Sequence, residues 1–246
     1  MRLTVVIPMY NEEKIIFDNL KTLLLCLGGG LEPEDFEVIA VNDGSTDRTE
    51  ELVKALLPLH NNLRLVSYEQ NKGKGYALKQ GIAEARGDFV LFTDSDLAYG
   101  APVVLSFLSA FEEGKGQMIL GSRPICPDGY SGYTLLRRAA SKCYLRIVRF
   151  FSGFSFSDSQ CGIKGFERDL AKSLFGALET CGFAFDLEIL LAAADRKTPY
   201  YELPVRILNH SSSTVHPFAD AFRMLKDLRK IKKRRKKAAA TALREP

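Results

Sequence analysis

The first hundred residues alternate between two hydrophobic rhythms. Four short runs of β-branched and aromatic residues, each closed by turn residues, have the pattern of strands: LTVVIP (3–8), FEVIAV (36–41), LRLVSY (63–68) and DFVLFT (88–93). Stretches of helical period lie between them. In EEKIIFDNLKTLLLCL, Ile15, Leu20, Leu23, Leu24 and Leu27 fall largely on one face. STDRTEELVKALLPL opens on Ser and Thr capping candidates with acids in its first turn, and KGYALKQGIAEAR follows the third strand. The order βαβαβαβ predicts an α/β fold with a parallel, doubly wound sheet flanked by helices. Farther along, MILGSR (118–123) and YYELPVRIL (200–208) read as further strands, and SKCYLRIVRFFSGF (141–154) as a helix with Arg146 and Arg149 set among apolar residues.

In such sheets ligands bind beyond the carboxyl ends of the strands. Each predicted strand end carries a polar cluster: Pro8-Met9-Tyr10-Asn11-Glu12, Asn42-Asp43-Gly44-Ser45, Asn71-Lys72-Gly73 and Asp94-Ser95-Asp96. Turn and cap chemistry accounts for any one of them, whereas four converging on one edge point to a site. Asp94 and Asp96 flank a small Ser95, and in an extended segment residues two apart point the same way. The pair is open to three readings: an acid/base dyad, a metal site, or two solvated acids. A dyad needs one carboxyl kept protonated in an apolar pocket. Hard oxygen ligands suit Mg²⁺ or Mn²⁺, which bridge to phosphates and neutralise a diphosphate leaving group. NKGKGYALKQG lacks the GxxxxGK[ST] spacing and fails GxGxxG at Leu78, so a loop entering a helix is the plain reading and a direct phosphate cradle the alternative.

With 246 residues and 46% hydrophobic composition, the chain can bury the core of one domain with extensions. Cys26, Cys126, Cys143, Cys161 and Cys181 are odd in number and form no CxxC pair, which argues for reduced thiols of a cytosolic protein and against a structural zinc site. The start runs directly into RLTVVIP, so secretion is not expected, and no run reaches the roughly 18 apolar residues of a spanning helix. Charge adds a sharper division. Nine basic residues and one acid between Lys226 and Lys237 contribute +8. Removing them and the cancelling Arg244 and Glu245 from the total of +4 leaves −4 on residues 1–225. PFADAFRMLKDLRKI spaces Phe218, Phe222, Leu225 and Leu228 at helical intervals, with Arg223, Lys226, Arg229 and Lys230 elsewhere around the helix. The expected division is an α/β domain over 1–217 and an amphipathic, basic helix and tail over 218–246 lying on an anionic membrane surface. Packing of the apolar face on the body is the plain alternative. Nucleic acid is not an expected partner, because the basic run has no aromatic or motif context.

VVIPMYNEE, VNDGSTDRT, NKGKGYALKQGIAEARGDFVLFTDSDL and GSR, in that order, resemble family 2 glycosyltransferases of the GT-A fold, a Rossmann-like, mostly parallel mixed sheet. DSQCGIKGF (158–166) and FAFDLEIL (183–190) resemble the branch that makes dolichyl- or polyprenyl-phosphate sugars, nearest the dolichyl-phosphate β-glucosyltransferases. The similarity runs from Leu3 to about Leu228. It implies that Pro8, Tyr10, Glu12 and Asp43 contact the nucleoside, Asp43 facing the base. It further implies that Asp94 and Asp96 bind Mg²⁺ or Mn²⁺ and the diphosphate, that Arg123 meets phosphate, and that Asp158, Gln160 and Lys164 shape the sugar and acceptor site. Arg137 and Arg138 are candidate partners of the acceptor phosphate, with surface helix charges as the alternative. The chain departs from the pattern at Thr214, in SSTV, where relatives usually carry a lysine, and in lacking the leading membrane span of eukaryotic relatives.

The implied reaction is inverting transfer of a hexose, glucose from UDP-glucose, to dolichyl or polyprenyl phosphate. The protein would be peripheral on the cytoplasmic face of a membrane, an arrangement that admits a membrane-protein partner. A phosphate monoester is already anionic and needs no strong base, so alignment and charge neutralisation would carry the reaction. His60, His210 and His216 accordingly stand in no dyad-like cluster. Asp158 and Asp186 are candidates for orienting sugar or acceptor, while FAFDLEIL also reads as a buried helix with Asp186 and Glu188 exposed. Two rival classes remain: a glycosyltransferase of this fold acting on a soluble glycan, protein or small molecule, and a non-catalytic binding protein.

Overall fold

The computed structural model describes residues 1–127, 129, 156–182, 184–208 and 231. Four parallel strands come first along the chain. β1 (Leu3–Met9) leads to α1 (Ile16–Gly28), β2 (Phe36–Asp43) to α2 (Thr49–Leu56), β3 (Leu63–Tyr68) to α3 (Lys74–Ala83), and β4 (Phe89–Phe92) to α4 (Val103–Glu112). β5 (Met118–Ser122), β6 (Lys164–Glu167), α5 (Arg168–Gly176), α6 (Phe185–Asp195) and β7 (Tyr200–Pro204) complete the described elements. The sheet has seven strands in the order β3-β2-β1-β4-β6-β5-β7. All are mutually parallel except β6, which lies antiparallel between β4 and β5. The predicted mixed, mostly parallel α/β sheet is therefore present.

Alternation along the strands sorts side chains to two cores. Leu3, Val5, Ile7 and Met9 of β1 and Phe36, Val38 and Ala40 of β2 join the buried faces of α1, α2 and α4. Val6, Ile39 and Val41 face the other way, where α3, α5 and α6 supply Leu78, Phe175, Phe185 and Leu190. Because both faces are covered, the strands read as nearly continuous apolar runs.

Differences from the sequence reading are local. α1 buries Ile16 in place of Ile15, and its other four predicted positions hold. α2 takes its N-terminal acceptor from Asp47, which receives the Thr49 N–H at 3.0 Å, and neither Ser45 nor Thr46 acts as the cap. β7 stops at Pro204 instead of running to Leu208. β6 was not anticipated. Within KGFE the central Gly165 is required by contact, since a Cβ there would lie 2.7 Å from the Phe111 ring. The predicted helix over 141–154, Arg137, Arg138, His210, Thr214, His216 and the tail helix over 218–246 apart from Ile231 lie outside the described residues. Ile231 itself is helical and buried. Among the described residues no helix is long and apolar enough to cross a membrane.

Candidate active site

The carboxyl ends of β1 and β2 are locked together by their loops. Asn11, in the left-handed region at φ 56°, accepts the Thr46 N–H at 2.8 Å and donates its own N–H to Ser45 Oγ at 3.0 Å. The next N–H groups along the chain follow suit: Glu12 donates to Thr49 Oγ1 at 2.7 Å and Glu13 to Asp47 Oδ2 at 3.1 Å. This lacing fixes Tyr10, which is 46% exposed at the edge, and the half-buried Glu12, while Pro8 is buried in β1 opposite Val41.

Asp43 ends β2 almost fully buried, and its carboxylate accepts three hydrogen bonds: Tyr68 Oη at 2.8 Å, Lys72 N at 2.8 Å and Gly73 N at 2.9 Å. The residue predicted to face the base thus clamps the loop after β3. Burial and the adjacent Asp43 carboxylate push the Tyr68 phenol well up. Tyr68 and Tyr76 meet edge to face at 5.4 Å, with the Lys72 ammonium 4.6 Å from the Tyr76 ring centre. Gly75 N–H donates to the Cys181 carbonyl at 2.8 Å, so a backbone acceptor already occupies the start of α3. The loop-entering-helix reading of NKGKG describes what is seen.

β4 ends at Phe92, and Asp94 and Asp96 lie in the turn that follows. The extended geometry expected of them is therefore incorrect. Leu97 N–H returns to the Asp94 carbonyl at 3.1 Å, and Leu97 takes φ 46°, because the chain must reverse toward α4. Asn19 of α1 holds the turn through the Ser95 carbonyl at 2.8 Å, and Asp96 Oδ1 accepts Ala98 N–H at 3.0 Å. The Lys74 ammonium, at the first position of α3, pairs with Asp94 Oδ1. Glu12 is drawn into the same acidic field: burial first, then Asp96 and Asp94, raise its carboxyl above the ordinary range against a hydrogen bond with Ser95.

The segment before β6 closes this edge from the other side. A Cβ at Gly162 would stand 2.1 Å from Asp94 Oδ2, so the carboxylate rests directly on the glycine. Gly162 N–H donates to Tyr99 Oη at 3.1 Å, and Ser157 N–H to Glu202 Oε1 of β7 at 2.7 Å. Asp158, 2% exposed, takes Arg123 Nε at 2.6 Å and Nη2 at 2.8 Å. Asp158 holds the Arg123 cation against the penalty of burial, pushing its pKa up further. Arg123, expected at a phosphate, therefore has a fork–fork contact with another predicted residue. Gln160 is exposed and donates its N–H to Asp158 Oδ1 at 3.1 Å.

Lys164 is 1% exposed, with its ammonium 2.8 Å from Asp186 Oδ1 and 2.6 Å from the Cys161 carbonyl. Burial raises the Asp186 carboxyl, and Lys164 and Lys74 offset part of that rise. FAFDLEIL does enter a buried helix, α6, but neither acid is free on its surface. Asp186 is tied to Lys164, and Glu188 accepts the N–H groups of Glu179 and Thr180 at 3.0 and 3.1 Å. His60 precedes β3, at the edge opposite the site. The sequence reading did not single out Lys74 or Gly162. One signal for Lys74 was available: a lysine in a first helical turn opposes the helix dipole and needs a reason to be there.

The residues fit a divalent cation. Asp94, Asp96, Asp186 and Glu12 outnumber Lys74 and Lys164 by two negative charges when all are ionised. Among the described residues no three His, Cys, Asp or Glu side chains are grouped to hold an ion. The two aspartates suit an ion that draws its remaining oxygens from phosphate and water.

The family model Glycosyl transferase family 2 matches residues 4–175. Among curated proteins, the chain is 32% identical over 240 residues to a dolichyl-phosphate β-glucosyltransferase of Drosophila melanogaster, covering 93% of this chain and 73% of the relative. It is 30% identical over 245 residues to the Homo sapiens protein of the same name, covering 92% and 74%. Among solved structures, glucosyl-3-phosphoglycerate synthase from Mycobacterium tuberculosis with Mn²⁺, uridine diphosphate and phosphoglyceric acid aligns at TM-score 0.69. That alignment covers 94% of this chain and 76% of the other at 22% identity, a likeness of fold.

Proposed function

The chain belongs to glycosyl transferase family 2, and from that premise we propose that it moves glucose from UDP-glucose to dolichyl phosphate or a related polyprenyl phosphate, with inversion. The observation that carries the reading is the meeting at Asp94 of two parts of the chain. The β1–β4 half supplies the carboxylates, and the segment before β6, the part resembling polyprenyl-phosphate sugar synthases, supplies the glycine on which Asp94 rests.

In this reading the exposed Tyr10 ring and the loop clamped by Asp43 form the nucleoside end of the site. Asp94 and Asp96 hold Mg²⁺ or Mn²⁺, which would neutralise charge on the departing diphosphate. The Arg123–Asp158 pair and Gln160 line the side from which the sugar and acceptor approach, and Arg137 and Arg138 are candidate partners of the acceptor phosphate. Lys164 fixes Asp186 and thereby the start of α6. The acceptor oxygen is anionic at neutral pH, so the chain has to orient and desolvate it and need not take its proton. The +8 stretch from Lys226 to Lys237 would hold the enzyme on an anionic, cytoplasmic membrane face, at about 1 kcal/mol per engaged basic residue.

A screen of UDP- and GDP-sugars against a short-chain polyprenyl phosphate and soluble acceptors, with Mg²⁺ or Mn²⁺, tests the proposal. Glucose transfer from UDP-glucose to the polyprenyl phosphate, abolished by chelator, is expected. Binding of GDP without UDP in calorimetry would overturn the donor, and turnover on soluble acceptors alone would overturn the acceptor.

A further inference from the structure

The two oxygens of Asp94 meet different neighbours. Oδ2 is pressed against Gly162, so closely that an added Cβ would lie 2.1 Å away. Oδ1 is the oxygen that Lys74 holds. A cation coordinated through Asp94 Oδ1 and the Lys74 ammonium therefore compete for one atom. We propose that Lys74 is a positioning residue that acts as the resident counter-ion of Asp94, occupying Oδ1 until a divalent cation displaces it and thereby weakening metal binding in the absence of nucleotide. The inference rests on Asp94 and Asp96 being the metal ligands.

Three features make Lys74 suited to this. It opens α3, whose first turn holds no acid, and a cation at that end is disfavoured by the helix dipole, so its placement depends on the carboxylates it faces. Lys164, the other ammonium of the cluster, is buried at 1% exposure and committed to Asp186 and the Cys161 carbonyl, and so cannot substitute for it. Lys74 is 21% exposed on a flexible stem, with the Phe185 ring centre 5.9 Å from its ammonium, so it can leave Asp94 without unpacking a core. The exchange replaces one positive charge by two beside Asp94, Asp96 and Glu12. Phosphate oxygens from the donor then complete the ion's shell, which couples metal and nucleotide binding.

The test is Mn²⁺ binding to the full chain without nucleotide, read by the electron paramagnetic resonance signal of the free ion. Lys74→Met and Lys74→Gln, either of which serves if the other fails to fold, should bind Mn²⁺ about tenfold more tightly than the native protein, and Lys74→Arg should bind like it. Asp94→Asn should lose binding. A lysine needed only to hold Asp94 in place gives the opposite sign, since its removal would weaken the site. Equal or weaker Mn²⁺ binding by the neutral variants, with loss in Asp94→Asn, overturns the counter-ion role and leaves the metal site standing. Undiminished binding by Asp94→Asn overturns the metal site and the inference together.

Discussion

Alanine at Gly162 places one methyl group behind the carboxylate that anchors the site. The glycine's φ is not in the left-handed region, so alanine meets no backbone strain, and the side chain its Cβ would strike is Asp94, at 2.1 Å from Oδ2 and 3.1 Å from Cγ. Ordinary carbon–oxygen contact needs the carboxylate to withdraw by about 1 Å. Asp94 is 37% exposed and Lys74 can follow it, so the fold should lose no more than about 1 kcal/mol. The site is less tolerant. Metal–ligand distances hold to about 0.2 Å, and a misplacement of about 1 Å costs on the order of a hundredfold in rate, or about 2.7 kcal/mol in the barrier. Glucose transfer from labelled UDP-glucose to polyprenyl phosphate at saturating Mn²⁺, measured beside the unfolding midpoint, separates the two effects. Gly176→Ala, where an added Cβ meets nothing within 4 Å, is the control and should be silent. Transfer by Gly162→Ala within threefold of the native rate would refute the idea that the glycine sets the carboxylate's position.

Asp96→Asn should lower transfer a hundredfold or more with an unchanged unfolding midpoint, and near-native turnover would sink the metal assignment. Lys164→Met strips a buried carboxylate of its partner and should cost about 3–5 kcal/mol in urea unfolding, part of it regained in Lys164→Met/Asp186→Leu; a loss below about 1 kcal/mol would contradict the pairing. Burial raises the Cys161 thiol from its ordinary 9.0 to about 11. Its contribution to stability is therefore complete below pH 9 and drains away as the pH climbs through 11. A thiol reagent at pH 8 should label the exposed Cys181 and spare Cys161 in the native protein, as peptide mass spectrometry would show; rapid native labelling of Cys161 contradicts this. A chain ending at Leu225 should bind UDP normally but lose salt-sensitive sedimentation with anionic vesicles, and unchanged sedimentation would rule out the tail as the membrane anchor.

The parallel half of the sheet could be read from the chain because β1, β2 and β4 are largely buried on both faces and so appear as short, nearly unbroken apolar runs, while the edge strand β3 shows itself by its β-branched and aromatic residues. β6 could not. It is four residues long with a glycine at its centre, where a Cβ would meet the Phe111 ring, and it is a strand through its pairing with β4 and β5. α4 escaped for a related reason: VVLSFLSAFE is apolar nearly all round, so its period is faint. The sheet-edge rule found the positions of Tyr10, Glu12, Asp43 and the two aspartates, but not their partners. Lys74 with Asp94 and Lys164 with Asp186 are pairs twenty or more residues apart that exist only once the sheet and its helices have assembled. The extended picture of Asp94 and Asp96 failed because the turn at Leu97 was invisible in a residue type that seldom adopts positive φ.

The reversed direction of β6 has an effect on how this sheet can change. β5 leaves the sheet at Ser122 and β6 enters it at Lys164, and the pairing of Leu120 with Lys164 and of Lys164 with Phe92 puts both points at the same edge. The 41 residues from 123 to 163 thus begin and end at the mouth of the site, like a drawer that opens on one side of a cabinet. Had β6 run parallel to its neighbours, the chain would have had to travel to the opposite edge before re-entering, and any change in length would have pulled on a crossover. As built, insertions and deletions between Arg123 and Phe156 need not shift a single strand register. A lineage can exchange that segment while the carboxylates at the end of β4 stay where they are.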